Sequence, residues 1–405
     1  MRKIKFISIR FFSRCQDRCA TYLFFSVIIT ATISTAKPVS AQSGFAQRGF
    51  LLAVGSEETV LTPGDRAKFG LPLAFPDGLA GFIKTGSTYS IFGPMGGENP
   101  GTLRLQTSSL ENLLPSLELN PGTRVLEKGI AQPFNGDDFD RNYAAGGPTY
   151  YDAASGALLH FYHGEYHYGP NALPFYSALG IAISFDFGRT FQKLGPIIKA
   201  RIPRTPGQQL EISGASIVAR NGKFFLYYTD QGSALSAPSH VNVCIAVASA
   251  PIKDVVKAAL QGRAYAWKKY YLGSFSTSGL GGRFSPIVIP SNSEIFHAWP
   301  SVAYNPYLDK FIMTYMAGWS GIALRASDDG LKWSHPTMIQ IGRFPDGVVY
   351  PMLVGMGNNP SVLNSEFWLY YVNHFPYWES SNWVRRELRV LKFGALGLKQ
   401  VKNEQ

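Results

Sequence analysis

The sequence predicts an all-β fold, a five-bladed β-propeller with blades of about four antiparallel strands, and three observations carry that expectation. The first is a phrase repeated five times, a short strand, a turn and an aromatic-rich strand. It runs from Leu79 to Pro94, Gly147 to Glu165, Ser213 to Asp230, Ala298 to Met316 and Tyr350 to Asn373. A unit of this kind cannot bury its apolar face alone, so five copies at a coarse period of 50 to 85 residues imply a ring of mutually packed sheets. The second is composition: 41 Gly and 26 Pro are spread along a chain with 14% aromatics, and alternating apolar runs end at turn residues, as in short antiparallel strands. The third is the near absence of helical periodicity, whose clearest exception is Ile252 to Leu260, expected as one amphipathic helix on an excursion within the third unit.

Taken from the N-terminus, residues 1–41 read as a secretory signal peptide. Arg2, Lys3, Lys5, Arg10, Arg14 and Arg18 precede an apolar stretch from Ala20 to Ile33, and small residues end it at Val39-Ser40-Ala41. The long basic start also fits an uncleaved anchor with its basic end inside; either reading places the rest outside the cytoplasm, secreted, periplasmic or extracellular, with membrane contact only if the segment stays. Seven Lys/Arg against Asp17 give this leader six of the formal +11, leaving about +5 on the remainder. Those basic residues are scattered, with pairs such as Lys268-Lys269 and Arg385-Arg386, so the stripe a nucleic-acid binder needs is missing and no nucleic-acid partner is expected. Cys15 and Cys19 lie in the leader, and Cys244, within an apolar strand, is expected to pack in the core.

Residues 42–65 form a lead-in whose segment Phe50 to Val54 is expected to supply the strand that closes the last blade. The propeller spans 66–398, with blades at 79–130, 144–200, 211–273, 297–342 and 349–394, and 399–405 is a polar tail. Closure between the two ends would remove the open edges on which sheets aggregate.

Between the repeated phrases lie second hairpins. Ser184-Phe185-Asp186-Phe187-Gly188-Arg189-Thr190-Phe191 has the form of an Asp-box, and Ser327-Asp328-Asp329-Gly330-Leu331-Lys332-Trp333 is a shortened relative. In such turns the Asp binds nearby backbone, the Gly takes positive φ and the aromatic packs below, a structural role. These boxes, together with the style of Asn221 to Asp230, resemble the five-bladed glycosidase superfamily of arabinanases, xylosidases and invertase-like enzymes, over roughly residues 66–395.

In a propeller the innermost strand of each blade begins, and the second ends, on one face. Asp77, the Asp137-Asp138-Phe139-Asp140 run, Glu211 and His297 fall at inner-strand starts; His163, Glu165, His167, Asp230, Trp319 and the run from His374 to Trp378 fall at second-strand ends. Within Phe161 to His167 the two-residue period puts His163, Glu165 and His167 on one face, a set suited to lining the channel, to binding a cation or to a plain hydrogen-bonded rim. Tyr166, Trp319 and Trp378 offer rings for stacking on sugars.

The resemblance implies roles by location. Glu211, at the start of the third inner strand, matches the position of the general acid, although Ser213-Gly214 stands where the family form usually has a Pro; a solvated loop acid is the other reading. Asp77 matches the base, and Asp140 the orienting carboxylate of blade two, unless it merely pairs with Arg141 at the surface. His297 can face the channel or serve structure, and the fifth inner strand, at Tyr350-Pro351, offers no carboxylate.

The expected function is that of a secreted glycoside hydrolase-like protein working by carboxylate acid/base catalysis on a carbohydrate partner, Glu211, Asp77, Asp140 and Glu165 forming the catalytic set. His163, His167, Tyr166, Asp230, His297, Trp319, His374 and Trp378 would bind substrate. The alternative is a non-catalytic carbohydrate-binding or surface-interaction propeller. No organic cofactor or catalytic metal is expected; the resemblance leaves room for a structural calcium in the channel.

Overall fold

A computed structural model describes residues 43–47, 50–72, 75–97, 100–110, 123–127, 138–169, 173–231, 243–290, 296–318, 321–341, 347–374 and 385–397. They form five antiparallel sheets arranged as the blades of a propeller. The predicted leader lies outside the described residues, as do Asp137, Trp319 and Trp378; among the described residues no helix is long and apolar enough to cross a membrane.

The chain begins with the hairpin β1 (Ser43–Gln47) and β2 (Phe50–Leu61), followed by a short helix, α1 (Pro63–Lys68), whose first turn is capped reciprocally by Thr62 and Asp65. Blade one comprises β3 (Gly81–Thr85), β4 (Thr88–Met95), β5 (Gly101–Thr107) and β6 (Thr123–Glu127). The inner strand of blade two is split into β7 (Tyr143–Ala145) and β8 (Thr149–Asp152), both paired with β9 (Ala157–His167), and β10 (Phe175–Ser184) and β11 (Gln192–Ile198) complete it.

Blade three holds β12 (Glu211–Arg220), β13 (Lys223–Gln231), β14 (Val243–Pro251), the helix α2 (Ile252–Leu260), β15 (Lys268–Tyr271) and a fifth strand, β16 (Ser274–Ser278). Helix α2 has the predicted bounds because Val255, Val256, Ala258 and Ala259 put one apolar face against the sheets. Blade four is β17 (His297–Asn305), β18 (Lys310–Ala317), β19 (Gly321–Ser327) and β20 (Thr337–Ile341). Blade five is β21 (Gly347–Gly355), β22 (Glu366–His374) and β23 (Glu387–Gly397), extended by β2 and β1. The N-terminal strand therefore closes the last blade as expected, Phe50 pairing with Gly397 and Val54 with Phe393.

Burial follows the gaps between blades. Five apolar clusters form: blades one and two meet around Phe92 and Leu158, two and three around Phe161 and Phe224, three and four around Tyr227 and Tyr315. Blades four and five meet around Ile312 and Phe367, and five and one around Tyr370 and Leu105. Alternate residues of each middle strand feed the two gaps on either side, so the aromatic-rich strands of the repeat are buried on both faces. Cys244 is 1% exposed, in keeping with a packing role. The turns at Asp186 and Asp329 stand at the opposite end of the strands from the inner-strand starts: Ser184 pairs with Leu158 and Ser327 with Phe311, both at the beginning of a second strand. Asp186 accepts from the backbone of Arg189 and Thr190, each at 3.0 Å, and Asp329 from that of Leu331 and Lys332 at 2.8 and 2.7 Å.

One backbone feature recurs in four blades. The inner strand leaves the ladder at Gly147 (φ 96°), Gly214 (φ 56°), Trp299 (φ 54°) and Tyr350 (φ 56°), all left-handed. In blades three to five this coincides with a register shift against the second strand, and in blade two with the break between β7 and β8. Two residues further on, Ser216 accepts from the Val302 amide at 2.9 Å, Ser301 from Leu353 at 2.8 Å, and the Met352 sulfur from Ala80 at 3.2 Å. Thr149, at the matching place in blade two, donates to the Phe82 carbonyl. The bulge thus breaks the strand alternation and sets the next hydroxyl or sulfur against a neighbouring blade.

A Cβ on Gly214 would lie 2.7 Å from the Trp299 Cα, whereas one on Gly222, also at positive φ in a hairpin turn, meets nothing within 4 Å. Gly222→Ala should therefore cost about 1 kcal/mol, the backbone preference alone, and Gly214→Ala more than about 2 kcal/mol, with overpacking added. Urea unfolding of the two variants beside wild type measures the difference.

Candidate active site

Asp77, Glu165 and Glu211 come from blades one, two and three and lie near enough to interact electrostatically. Each belongs to a different local device. Asp77 precedes β3, its amide bonded to the Pro94 carbonyl at 3.0 Å; Glu165 is near the end of β9, opposite Tyr143; Glu211 opens β12, opposite Gln231. Asp77 interacts electrostatically with Glu165, and Glu165 with Glu211, so the three form one coupled set.

Glu165 is gripped from both sides. His163 Nε2 lies 2.9 Å from its Oε1 and His167 Nε2 2.7 Å from its Oε2, as the shared strand face predicts. Burial works against its charge, but the two imidazole contacts outweigh burial and hold the carboxyl below the usual carboxylate range. His163 shows the reciprocal effect: burial opposes its charge, yet Glu165 and then Glu211 hold its proton affinity above the ordinary imidazole value. Glu211 moves the other way from Glu165. Burial raises it, and the Ser213 hydroxyl, donating to Oε1 at 2.6 Å, and His163 offset only part of that. The site thus holds one carboxylate kept ionised and one pushed toward its protonated form, the division that acid/base work requires.

Asp77 accepts from Arg386 at 3.0 Å, a guanidinium 2% exposed, and from the Tyr350 hydroxyl at 3.4 Å; its backbone carbonyl takes the Tyr143 hydroxyl at 3.2 Å. Burial raises its carboxyl, and Arg386 opposes the rise. Trp299 packs among these residues. Its ring packs 4.8 Å from Tyr350 and 6.1 Å from His163 between centroids, and it approaches both Gly78 of blade one and Gly214 of blade three. The small cleft here is lined by Asp77, Tyr143, His163, Gly214 and Trp299.

Other expected site residues are placed elsewhere. Asp140 is engaged within blade two, accepting from Lys193 at 2.6 Å and from Tyr162 at 3.0 Å; its surface pairing with Arg141 is replaced by this buried one, and Arg141 instead lies 3.9 Å from Asp138. Tyr166 sits under the Arg204 guanidinium, 4.0 Å from the ring centroid. His297, fully buried, packs its ring 4.7 Å from Tyr315 in the gap between blades. Asp230, also fully buried, pairs in register with Ile212 and Cys244 near the mouth end of blade three. His374 ends β22 opposite Gly347, and burial together with Arg386 lowers its proton affinity to about 3. Trp319 and Trp378 lie outside the described residues.

Sequence reading missed Tyr143, Trp299, Arg386 and the hydroxyl of Tyr350. The one signal available was an aromatic at the matching place of the fourth and fifth repeats, Trp299 and Tyr350. Among the described residues no group of three or more His, Cys, Asp or Glu is placed to hold a metal.

No family model matches the chain, and no curated protein matches it in sequence. Solved structures match in fold. The catalytic domain of a Coprinopsis cinerea GH62 α-L-arabinofuranosidase superposes with a TM-score of 0.50 at 8% identity, covering 85% of this chain and 97% of that one. An α-L-arabinofuranosidase from Lactobacillus brevis gives 0.50 at 12%, covering 79% and 91%. A family 117 glycoside hydrolase of the marine bacterium Zobellia galactanivorans gives 0.50 at 11%, covering 86% and 91%. At such identities the likeness is one of fold alone, the five-bladed β-propeller.

Two outcomes follow from this geometry. Removing Lys193 leaves the Asp140 carboxylate buried without its cation, so Lys193→Met should destabilise the protein by about 3–5 kcal/mol in chemical unfolding, while the Asp77–Glu165–Glu211 set is untouched. The Glu165 contribution, with a lowered folded pKa, is present above the unfolded carboxylate value and is lost as pH falls through the folded one. That of His163, with a raised folded pKa, is complete below the unfolded imidazole value and is lost as pH rises through the folded one. Thermal melts across pH should therefore fall at both ends, and Glu165→Gln should flatten both slopes.

Proposed function

We propose that this chain is an exported glycoside hydrolase-like protein that cleaves a glycosidic bond by acid/base catalysis at the Asp77–Glu165–Glu211 mouth. The observation that carries the reading is a set of three half-buried, electrostatically coupled carboxyl groups from three successive blades whose surroundings drive their proton affinities apart.

In this reading Glu211 is the general acid. Its Oε1 is occupied by Ser213, so the proton resides on the other oxygen and passes to the leaving-group oxygen as the bond to the anomeric carbon breaks. Asp77, ionised beside Arg386 and raised toward neutrality by burial, is the base that takes a proton from the attacking water. Glu165, locked as a carboxylate, holds substrate hydroxyls and offsets the positive charge that builds on the sugar ring. Trp299 supplies an apolar face against which a ring can stack. The chemistry requires no organic cofactor. The basic and apolar leader supports export, and the glycosidase activities named for the structural neighbours support a carbohydrate substrate.

A glycoside panel that includes α-L-arabinofuranosides tests the reading. Glu211→Gln and Asp77→Asn should each lower kcat by about 10²–10⁴-fold while calorimetric binding of the same sugar persists. Sugar binding by wild type without turnover of any member would overturn it in favour of a carbohydrate-binding propeller.

A further inference from the structure

Hydrogen-bond accounting around His163 leads beyond the assignment of acid and base. Its Nδ1 lies 3.2 Å from the carbonyl oxygen of Ile212, which can only accept, so Nδ1 carries a hydrogen. Its Nε2 lies 2.9 Å from Glu165 Oε1. A neutral imidazole has one N–H, already committed to Ile212, and would point a lone pair at a carboxylate. The residue is 6% exposed, so bulk solvent does little to relieve that clash. His167 cannot supply the missing proton at this contact, because it approaches the other oxygen of Glu165.

We propose that His163 is an imidazolium in the working protein and acts as a positioning residue, orienting Glu165 and holding Glu211 within the range of a usable acid. The argument rests on the assignment of Glu211 above for its second half only. The charges facing His163 are Glu165 on its own strand and Glu211 on β12; Tyr143 packs edge-on at 5.6 Å and Trp299 at 6.1 Å between centroids. Asp77 acts on Glu165 from blade one, and Arg386 neutralises Asp77 in turn. Glu165 by itself would drive the half-buried Glu211 still higher, making it too weak an acid to release its proton. A cation beside Glu165 cancels that push, and it stabilises the Glu211 carboxylate left after proton transfer. Because Ile212 directly follows Glu211, the Nδ1 contact also ties the ring to the backbone of the acid it serves.

The test combines NMR with kinetics on the full chain. Side-chain ¹⁵N spectra, with His163 assigned by difference from His163→Gln, should show both ring nitrogens protonated at pH 7 and titration above the ordinary value of about 6.5. In Glu165→Gln that titration should fall by about one unit or more, a tenfold or greater rise in acid dissociation. In His163→Gln the alkaline limb of the pH–rate profile should move to higher pH, because Glu211 loses a cation that favours its charged form, and kcat should drop. A bare Nε2 at pH 7, or a His163 titration unmoved by Glu165→Gln, overturns the proposal. If His163→Gln fails to fold, assignment through Glu165→Gln still decides the charge. Failure of every glycoside refutes the enzymatic reading and the tuning of Glu211 with it but leaves the charge of His163 to the spectra; a neutral His163 refutes this inference whatever the panel returns.

Discussion

The left-handed bulge in the inner strand is the constraint on which the rest of the structure depends. A regular strand would alternate its side chains between the two neighbouring gaps and send none along the axis. By leaving the ladder at Gly147, Gly214, Trp299 and Tyr350, the chain interrupts the alternation once in each of four blades and returns in time to pack a following residue against its neighbour. The interblade contacts of Ser216, Ser301 and Met352 then hold the ring in register at the level where the carboxylates gather.

The bulge also divides labour between blades. At Gly214, in blade three, the missing side chain makes room for Trp299 of blade four, whose ring packs on Tyr350, whereas a Cβ at Gly147 would strike the Phe161 carbonyl of its own blade. Left-handed geometry at an aromatic costs on the order of 1–3 kcal/mol and persists only when the surroundings over-determine it. Here they do: the Trp299 amide donates to Thr229 at 2.8 Å, and the Tyr350 hydroxyl reaches Asp77. Backbone strain in blades four and five thus serves the geometry of acids in blades one to three.

At the mouth each carboxyl has its own partner: Arg386 stands by Asp77, His163 and His167 by Glu165, and Ser213 by Glu211. Burial raises every carboxyl, and what separates their proton affinities is the partner each has. Asp140, a buried acid paired with Lys193 at 2.6 Å, is spent within blade two.

The sequence by itself determined the architecture, since blade count, the closing N-terminal strand, helix α2 and the face shared by His163, Glu165 and His167 all follow from local periodicity and turn chemistry. It also marked Asp77, Glu165 and Glu211, because strand ends in a ring of blades fall on one face. Tertiary structure alone decided which acids remain at that face. Asp140 stands as close to a strand start in sequence as Asp77 does, yet Lys193, 53 residues away, draws it into the blade, while Arg386, 309 residues from Asp77, completes the mouth. Partners so distant along the chain leave no local pattern, and burial sets their charge only once the blades have closed.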